Sequence, residues 1–252
     1  MDKGFVIAFE GGEGSGKSTA LPIFKQLLEE KGFKVKTYAE PGGTKYAKEV
    51  RRMFFNYRCM GVKAAVHLMN SQRQDNIDTL IKPYIDKGYI VLIDRFVTST
   101  MVYQGMLSER LGDLKDKDEQ FEWVKDHVVT HDHVVFFFDC PPEVSTKRLV
   151  HRDNNNHFDE LSLEKHTVIY DGYKMVLEGV MNNGSFKEFD IGKIVAELNE
   201  APYVPGCVGV HTIDARDSIE GVTEQLRESV EELVEVFPQN ISEGMVTNDE
   251  TH

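Results

Sequence analysis

Between Phe9 and Thr19 the chain reads F-E-G-G-E-G-S-G-K-S-T, and Gly11, Gly16, Lys17 and Ser18 satisfy G-x-x-x-x-G-K-[ST]. Residues at that spacing hold a polyphosphate. The turn from Gly11 through Gly12, Glu13, Gly14, Ser15 and Gly16 aims several main-chain N–H groups at one point, and its glycines permit close approach and positive φ. Lys17 is expected to reach the β- and γ-phosphates, Ser18 to ligate Mg²⁺, and Thr19 to complete the loop. The flanks suit this. Phe5–Phe9 is a short apolar run of strand type, and Ser18–Lys31 reads as a helix whose N-terminus adds partial positive charge. Pro22 falls early in that helix, where it removes a hydrogen bond and can kink the first turns.

Other residues suited to chemistry stand further along. Asp94 follows the continuous apolar run Tyr89–Ile93 and can organise a metal shell. Arg95 and Arg73 offer rigid forks of donors that fit a planar anion or a base edge. The 252-residue chain carries a formal charge of −13, so arginines gathered at one place would mark an anion site. That acidity argues against a nucleic-acid surface and against anionic membranes. No run approaches the ~18 apolar residues of a membrane span, and the first residues lack a signal-peptide pattern. Cys59, Cys140 and Cys207 are odd in number and far apart, as expected of reduced thiols in a cytoplasmic compartment.

The elements that must position these residues alternate. Phe33–Tyr38 reads as a second strand ending in the stiff turn Glu40-Pro41-Gly42-Gly43-Thr44. Helical stretches are expected at Lys45–Phe55, Lys63–Asp86, Asp118–Thr130, Pro142–His151, Ser162–Met181 and Ser218–Val236, with strands at Tyr89–Ile93, Val134–Phe138 and His211–Ile213. Strands alternating with helices imply parallel pairing through right-handed crossovers, hence an α/β domain with a central parallel sheet covered on both faces. Ligands in such folds sit at the carboxyl ends of strands, and every distinctive motif here follows a strand. One domain is expected over 1–237. Residues 182–209 read as a surface insertion, and 238–252 as a polar, disordered tail.

Four segments together carry a resemblance: the loop above, E-P-G-G-T at Glu40–Thr44, D-R-F-V-T-S-T-M-V-Y-Q-G at Asp94–Gly105, and I-D-A-R-D-S-I-E at Ile213–Glu220. On these the chain resembles the thymidylate kinases of bacterial type, P-loop nucleoside-monophosphate kinases, from about Gly4 to Phe237. The resemblance implies the three-layer P-loop nucleotide-kinase fold with a mobile lid at about 148–160. It implies Mg²⁺-dependent transfer of the ATP γ-phosphoryl group to dTMP, and a homodimer. Carried onto this chain, Arg95 would bind the acceptor phosphate and Arg73 would hydrogen-bond and stack on the pyrimidine. Glu13 would serve the acceptor sugar, and Glu40 and Pro41 would wall the monophosphate. Ser99, Thr100, Tyr103 and Gln104 would line the acceptor pocket, with the Tyr103 ring over the deoxyribose. Ser18 and Asp94 would serve the metal. Arg148 and Arg152, one helical turn apart, would supply the catalytic cations of the lid, because this P-loop contains no arginine.

Two departures stand out. Ala39 occupies the position before E-P-G-G-T where the family carries arginine, so a cation near the acceptor phosphate is missing or comes from elsewhere. The lid ending D-R-x-E reads Asn156-His157-Phe158-Asp159, replacing a fixed charge by one that titrates near neutrality. A kinase for another deoxynucleotide, such as a 5-modified dUMP, is therefore an alternative acceptor reading. A P-loop switch or assembly ATPase is the alternative outside the class. His127, His131 and His133 are read as loop residues before a strand rather than as metal ligands. The spacing of Ile219, Val222, Leu226, Val230 and Leu233 is that of a core-facing stripe.

Overall fold

The structure, a computed structural model, describes residues 4–57, 60–109, 113–150, 158, 161–178 and 205–237. Strands β1 (Val6–Glu10), β2 (Lys34–Ala39), β3 (Tyr89–Asp94), β4 (His133–Asp139) and β5 (Cys207–Asp214) form one parallel sheet in the order β2-β3-β1-β4-β5. β1 lies at the centre, and all five of its residues are buried, as a strand covered on both faces requires.

Alternate residues of each strand enter opposite cores. Val6 and Ala8 of β1, with Val91, Ile93, Val135 and Phe137 from its neighbours, pack under one layer of helices. That layer includes α3 (Val62–Asn76), α6 (Lys117–His127) and α8 (Leu163–Glu178). Ile7 and Phe9, with Leu92, Phe136 and Phe138, face α1 (Lys17–Glu30) and α9 (Ile219–Val236) through Phe24, Leu28, Leu226, Val230 and Leu233. The result is the three-layer α/β arrangement expected. The α9 stripe enters the core at Leu226, Val230 and Leu233, while Ile219 remains exposed.

Local chemistry starts the helices where the sequence suggested. Thr44 caps α2 (Lys45–Asn56) by accepting from the Ala47 amide at 3.0 Å, and Ser218 caps α9 through Gly221 at 3.1 Å. α1 runs through Pro22 to Glu30, leaving the Ser18 carbonyl without its i+4 donor. α3 continues through a π-helical segment, Ile77–Ile81, into α4 (Lys82–Ile85).

Several boundaries differ from expectation. The last strand starts at Cys207, paired with His133, so Cys207–Gly209 belong to the sheet and not to an insertion. Residues 182–204, the tail 238–252, and Cys59 lie outside the described residues. α6 ends at His127, because Val128 is already extended, and His133 opens β4; the three histidines therefore do not share a loop. No element was expected in 96–107, yet α5 (Val97–Thr100) and a π-helical stretch, Met101–Leu107, occupy it. α7 (Pro142–Leu149) approaches the phosphate loop from the other side. Among the described residues no helix is long and apolar enough to cross a membrane.

Candidate active site

The glycine-rich turn joins β1 to α1 at the carboxyl edge of the sheet, where β1 has β3 on one side and β4 on the other. This is the switch point of the topology. Gly14 has φ 72, and a Cβ there would come within 2.4 Å of the Ser145 carbonyl of α7. Gly16 has φ 94 with open space around it, and it begins the helix. Lys17 is buried and its ammonium is held by the loop itself, donating to the Gly11 carbonyl at 2.8 Å, the Gly12 carbonyl at 2.7 Å and Ser15 Oγ at 3.0 Å. Burial, with Arg95 acting the same way, pushes its pKa down to about 8 against the pull of Asp94, Glu13 and Glu10.

The register Phe9↔Asp94 brings the end of β3 beside the loop. Ser18 Oγ donates to Asp94 Oδ2 at 2.8 Å. A hydroxyl and a carboxylate converging there form a hard-oxygen donor set, which fits Mg²⁺.

A cavity of about 460 Å³ opens from this edge. Every expected site residue among the described ones lines it except Gly11, Gly12 and Ser15, whose oxygens turn to Lys17. Its far half is made of side chains. Arg95, at φ 70, sends Nη2 to Glu13 Oε1 at 2.9 Å and Nη1 to the Gly11 carbonyl at 3.1 Å. Tyr103 donates to Glu13 Oε2 at 2.6 Å, and the Arg95 guanidinium lies over its ring, 5.1 Å from the centroid. Burial alone would raise the Glu13 carboxyl; Arg95, Tyr103 and Lys17 together outweigh it and hold the group below its usual range.

Arg73 is fully buried. Its Nε meets Glu40 Oε2 at 2.8 Å, and its Nη2 meets Thr100 Oγ1 at 2.9 Å and the Phe96 carbonyl at 3.2 Å. Asn76 holds the other Glu40 oxygen at 3.2 Å. Arg148 lines the cavity from α7 with Nη1 3.7 Å from Cys140 Sγ and Nη2 3.3 Å from the Asp217 carbonyl. Cys140 is buried just past β4, and burial raises its thiol. Arg152 and His157 lie outside the described residues.

Sequence reasoning missed residues that line the same space. Arg51 of α2 donates to the Pro41 carbonyl at 2.9 Å, and Asp94 and Arg95 are close enough to act on its charge. Phe54, Phe55, Met69 and Phe158 supply apolar wall; Phe158 stands edge-on to Tyr103 at 5.1 Å and to Phe55 at 6.3 Å. A signal for Arg51 was present: Ala47, Arg51 and Phe55 repeat every four residues after the Thr44 cap, on one helix face.

A parallel sheet with a phosphate loop at its switch point, joined to a second, arginine-bearing pocket, defines a P-loop kinase of nucleotides. The thymidylate kinase family model matches residues 9–198, and the chain belongs to that family. It is 28% identical over 234 residues to the thymidylate kinase of Caldicellulosiruptor saccharolyticus, covering 92% of this chain and 98% of that one. It is 32% identical over 208 residues to the thymidylate kinase of Bacillus velezensis, covering 79% and 96%. With the thymidylate kinase of Bartonella quintana the identity is 43% over 105 residues, 41% of this chain and 49% of that one.

Proposed function

We propose that this chain is an ATP:dTMP phosphotransferase, moving the γ-phosphoryl group of ATP to dTMP to give dTDP for dTTP synthesis. One observation carries the reading. Glu13 belongs to the donor loop yet binds Arg95 at 2.9 Å and Tyr103 at 2.6 Å, so the polyphosphate loop and the second pocket are one site. Transfer needs two anions in line, their charge neutralised and water excluded.

The loop amides and Lys17 hold the donor phosphates. Ser18 and Asp94 would hold Mg²⁺, which when bound would draw charge from the phosphate oxygens. Arg95 orients the acceptor phosphate between Glu40 and Pro41. Arg51 supplies the cation that Ala39 does not. Thr100, Gln104 and Arg73 present the polar edge that selects a pyrimidine, and the Tyr103 ring disfavours a ribose hydroxyl. Phe55 and Phe158 keep water from the acceptor side. Arg148 and Arg152 are assigned to the developing charge on the transferring group; for Arg148 this requires leaving Cys140 and Asp217. By family likeness the protein is also proposed to be a cytoplasmic homodimer, which light scattering on the purified protein tests.

The test of the activity is a panel: ATP and Mg²⁺ with dTMP, dUMP, a 5-hydroxymethyl-dUMP, dCMP, dAMP and dGMP. dTMP should turn over fastest. Purine monophosphates reacting at the dTMP rate would refute the acceptor assignment, since a pocket polar at one base edge leaves groups unpaired against the wrong base.

A further inference from the structure

Arg95 can orient a phosphate only if its guanidinium is kept in one place, and the groups that keep it there lie beneath the cavity floor. Its left-handed backbone is followed by the Phe96 amide, which donates to Glu10 Oε1 at 2.7 Å; the Ser99 amide reaches the same oxygen at 3.2 Å. Glu10 ends β1 and is wholly buried. Its other oxygen accepts from Ser99 Oγ at 2.7 Å and from the Tyr173 hydroxyl at 3.1 Å, and these two hydroxyls are 2.7 Å apart. Both accept from Arg95 Nη1, at 3.4 Å and 3.1 Å.

The chemistry fixes the two ends of this chain of contacts. A guanidinium only donates and a carboxylate only accepts, so both hydroxyls take from Arg95, and their two protons are shared among the Ser99–Tyr173 contact and the two contacts to Glu10. Burial raises the Glu10 carboxyl, an effect that Ser99, the Phe96 amide and Arg95 only partly offset, and the groups around its two oxygens are all donors. Tyr173 is wholly buried on α8, so one hydroxyl ties that helix to β1 and to the residue after β3. The Glu13 contact fixes one arm of the guanidinium, and this network and the Gly11 carbonyl hold the other.

We propose that Glu10 and Tyr173 are positioning residues for the acceptor phosphate, acting through Arg95 and not touching either nucleotide. The proposal rests on the dTMP kinase reading above. Losing the Tyr173 hydroxyl frees Nη1 on one side, so the cost should fall on acceptor use and leave ATP binding alone.

Steady-state kinetics with ATP and dTMP varied separately, on wild type, Tyr173→Phe, Arg95→Lys and the double variant, test it. Tyr173→Phe should lower kcat/KM for dTMP about tenfold, the scale of one charge-assisted hydrogen bond. KM for ATP should stay within about twofold, and the melting temperature within a few degrees. In the Arg95→Lys background the same change should add little, because residues acting through one group are not additive. Glu10→Gln should exceed the Tyr173→Phe loss; if it does not fold, the Tyr173–Arg95 cycle decides alone. Losses that multiply in the double variant, an equal rise in both KM values, or a silent Tyr173→Phe would overturn the positioning role. A wild type inactive on dTMP would overturn the functional reading and this inference with it.

Discussion

The two halves of the cavity are made from different parts of the polypeptide. The half assigned to the donor is mostly main chain: the Gly11–Gly16 turn, with Lys17 drawn onto its carbonyls at 2.7 and 2.8 Å and onto Ser15 Oγ at 3.0 Å. The half assigned to the acceptor is side chain, contributed by Glu13 of the loop, the turn after β2, α2, α3 and the segment after β3. There Arg73, Glu40, Asn76, Thr100, Glu13, Arg95 and Tyr103 are linked by hydrogen bonds between elements distant in sequence. A phosphate is the same in every nucleotide, so backbone geometry is enough to hold it. A base and a sugar differ between nucleotides, and discriminating them takes side chains fixed by one another. The donor half should therefore be intolerant at one ammonium and two or three glycines. The acceptor half should fail by loss of fit and of stability.

The sharpest break is at Lys17. Lys17→Ala removes the only side-chain cation of the donor loop, and turnover should fall roughly a thousandfold or more. Its partners are two main-chain carbonyls and the Ser15 hydroxyl, all uncharged, so no buried charge is stranded and the melting temperature should change by a few degrees at most. Near-normal turnover, shown to belong to this chain, would end the division of labour described here.

The same contrast explains what could be read from sequence. The strand–loop–helix unit from Val6 to Glu30 is local: an apolar run, a fixed spacing of glycines, and a helix pattern all lie within one stretch. The apolar strands β3 and β4 were legible for the same reason. Val97–Leu107 was not, because Thr98, Ser99 and Thr100 are poor helix formers, and the carboxylate that receives the Phe96 and Ser99 amides comes from Glu10, 86 and 89 residues away. The start of β5 was hidden because Gly206 and Gly209 break the alternation, and its pairing with His133 includes a register shift. Arg73 was legible as a fork of donors, but not that Glu40 would occupy its Nε. Arg51 was missed because a single arginine on the Ala47–Phe55 face reads as solvated until α2 is docked.

The acceptor half is broken at Arg73. Arg73→Ala strands the Glu40 carboxylate, 4% exposed, without its cation. Removing one partner of a buried ion pair costs about 3–5 kcal/mol. At about 2–4 °C per kcal/mol the melting temperature should drop by about 10 °C, and dTMP saturation should be lost while ATP still binds. Calorimetry and nucleotide titration read both. A variant that melts with the wild type would mean that the acceptor wall is not held by this pair.

A smaller effect separates the halves by pH. Burial puts Lys17 near 8 in the free protein, so its charge is present below that pH and is lost as pH rises through it. kcat/KM for ATP should fall about tenfold per pH unit above about 8. Bound phosphates favour the charged form, so kcat itself should hold to higher pH. The stability effect has the opposite sign: the unfolded lysine keeps its proton to ~10.4, so this group makes folding more favourable as pH rises from about 8 toward that value. A kcat/KM for ATP that is flat to about pH 9.5 would show that Lys17 does not titrate there.

The smallest effect concerns the arginine that this chain lacks before E-P-G-G-T. Ala39 lines the cavity at the end of β2, and Arg51 reaches the same region from α2, donating to the Pro41 carbonyl at 2.9 Å. If the acceptor half is a matter of position and not of total charge, a second guanidinium at 39 adds little while Arg51 is in place. It would share the same anion, and it would stand near Arg95 and Arg51, whose repulsion offsets the gain at this partly screened edge. Ala39→Arg in the wild type should therefore change KM for dTMP by less than about threefold. Arg51→Ala alone removes a charge-assisted contact worth about 1.5–3 kcal/mol, so KM for dTMP should rise at least about tenfold. Ala39→Arg introduced into Arg51→Ala should then recover a substantial part of that loss, with KM for ATP unmoved throughout. An unchanged KM in Arg51→Ala would remove Arg51 from the acceptor site. Equal gains from Ala39→Arg in both backgrounds would show that the two cations act independently, and the acceptor half would have to be described by its charge and not by its fit.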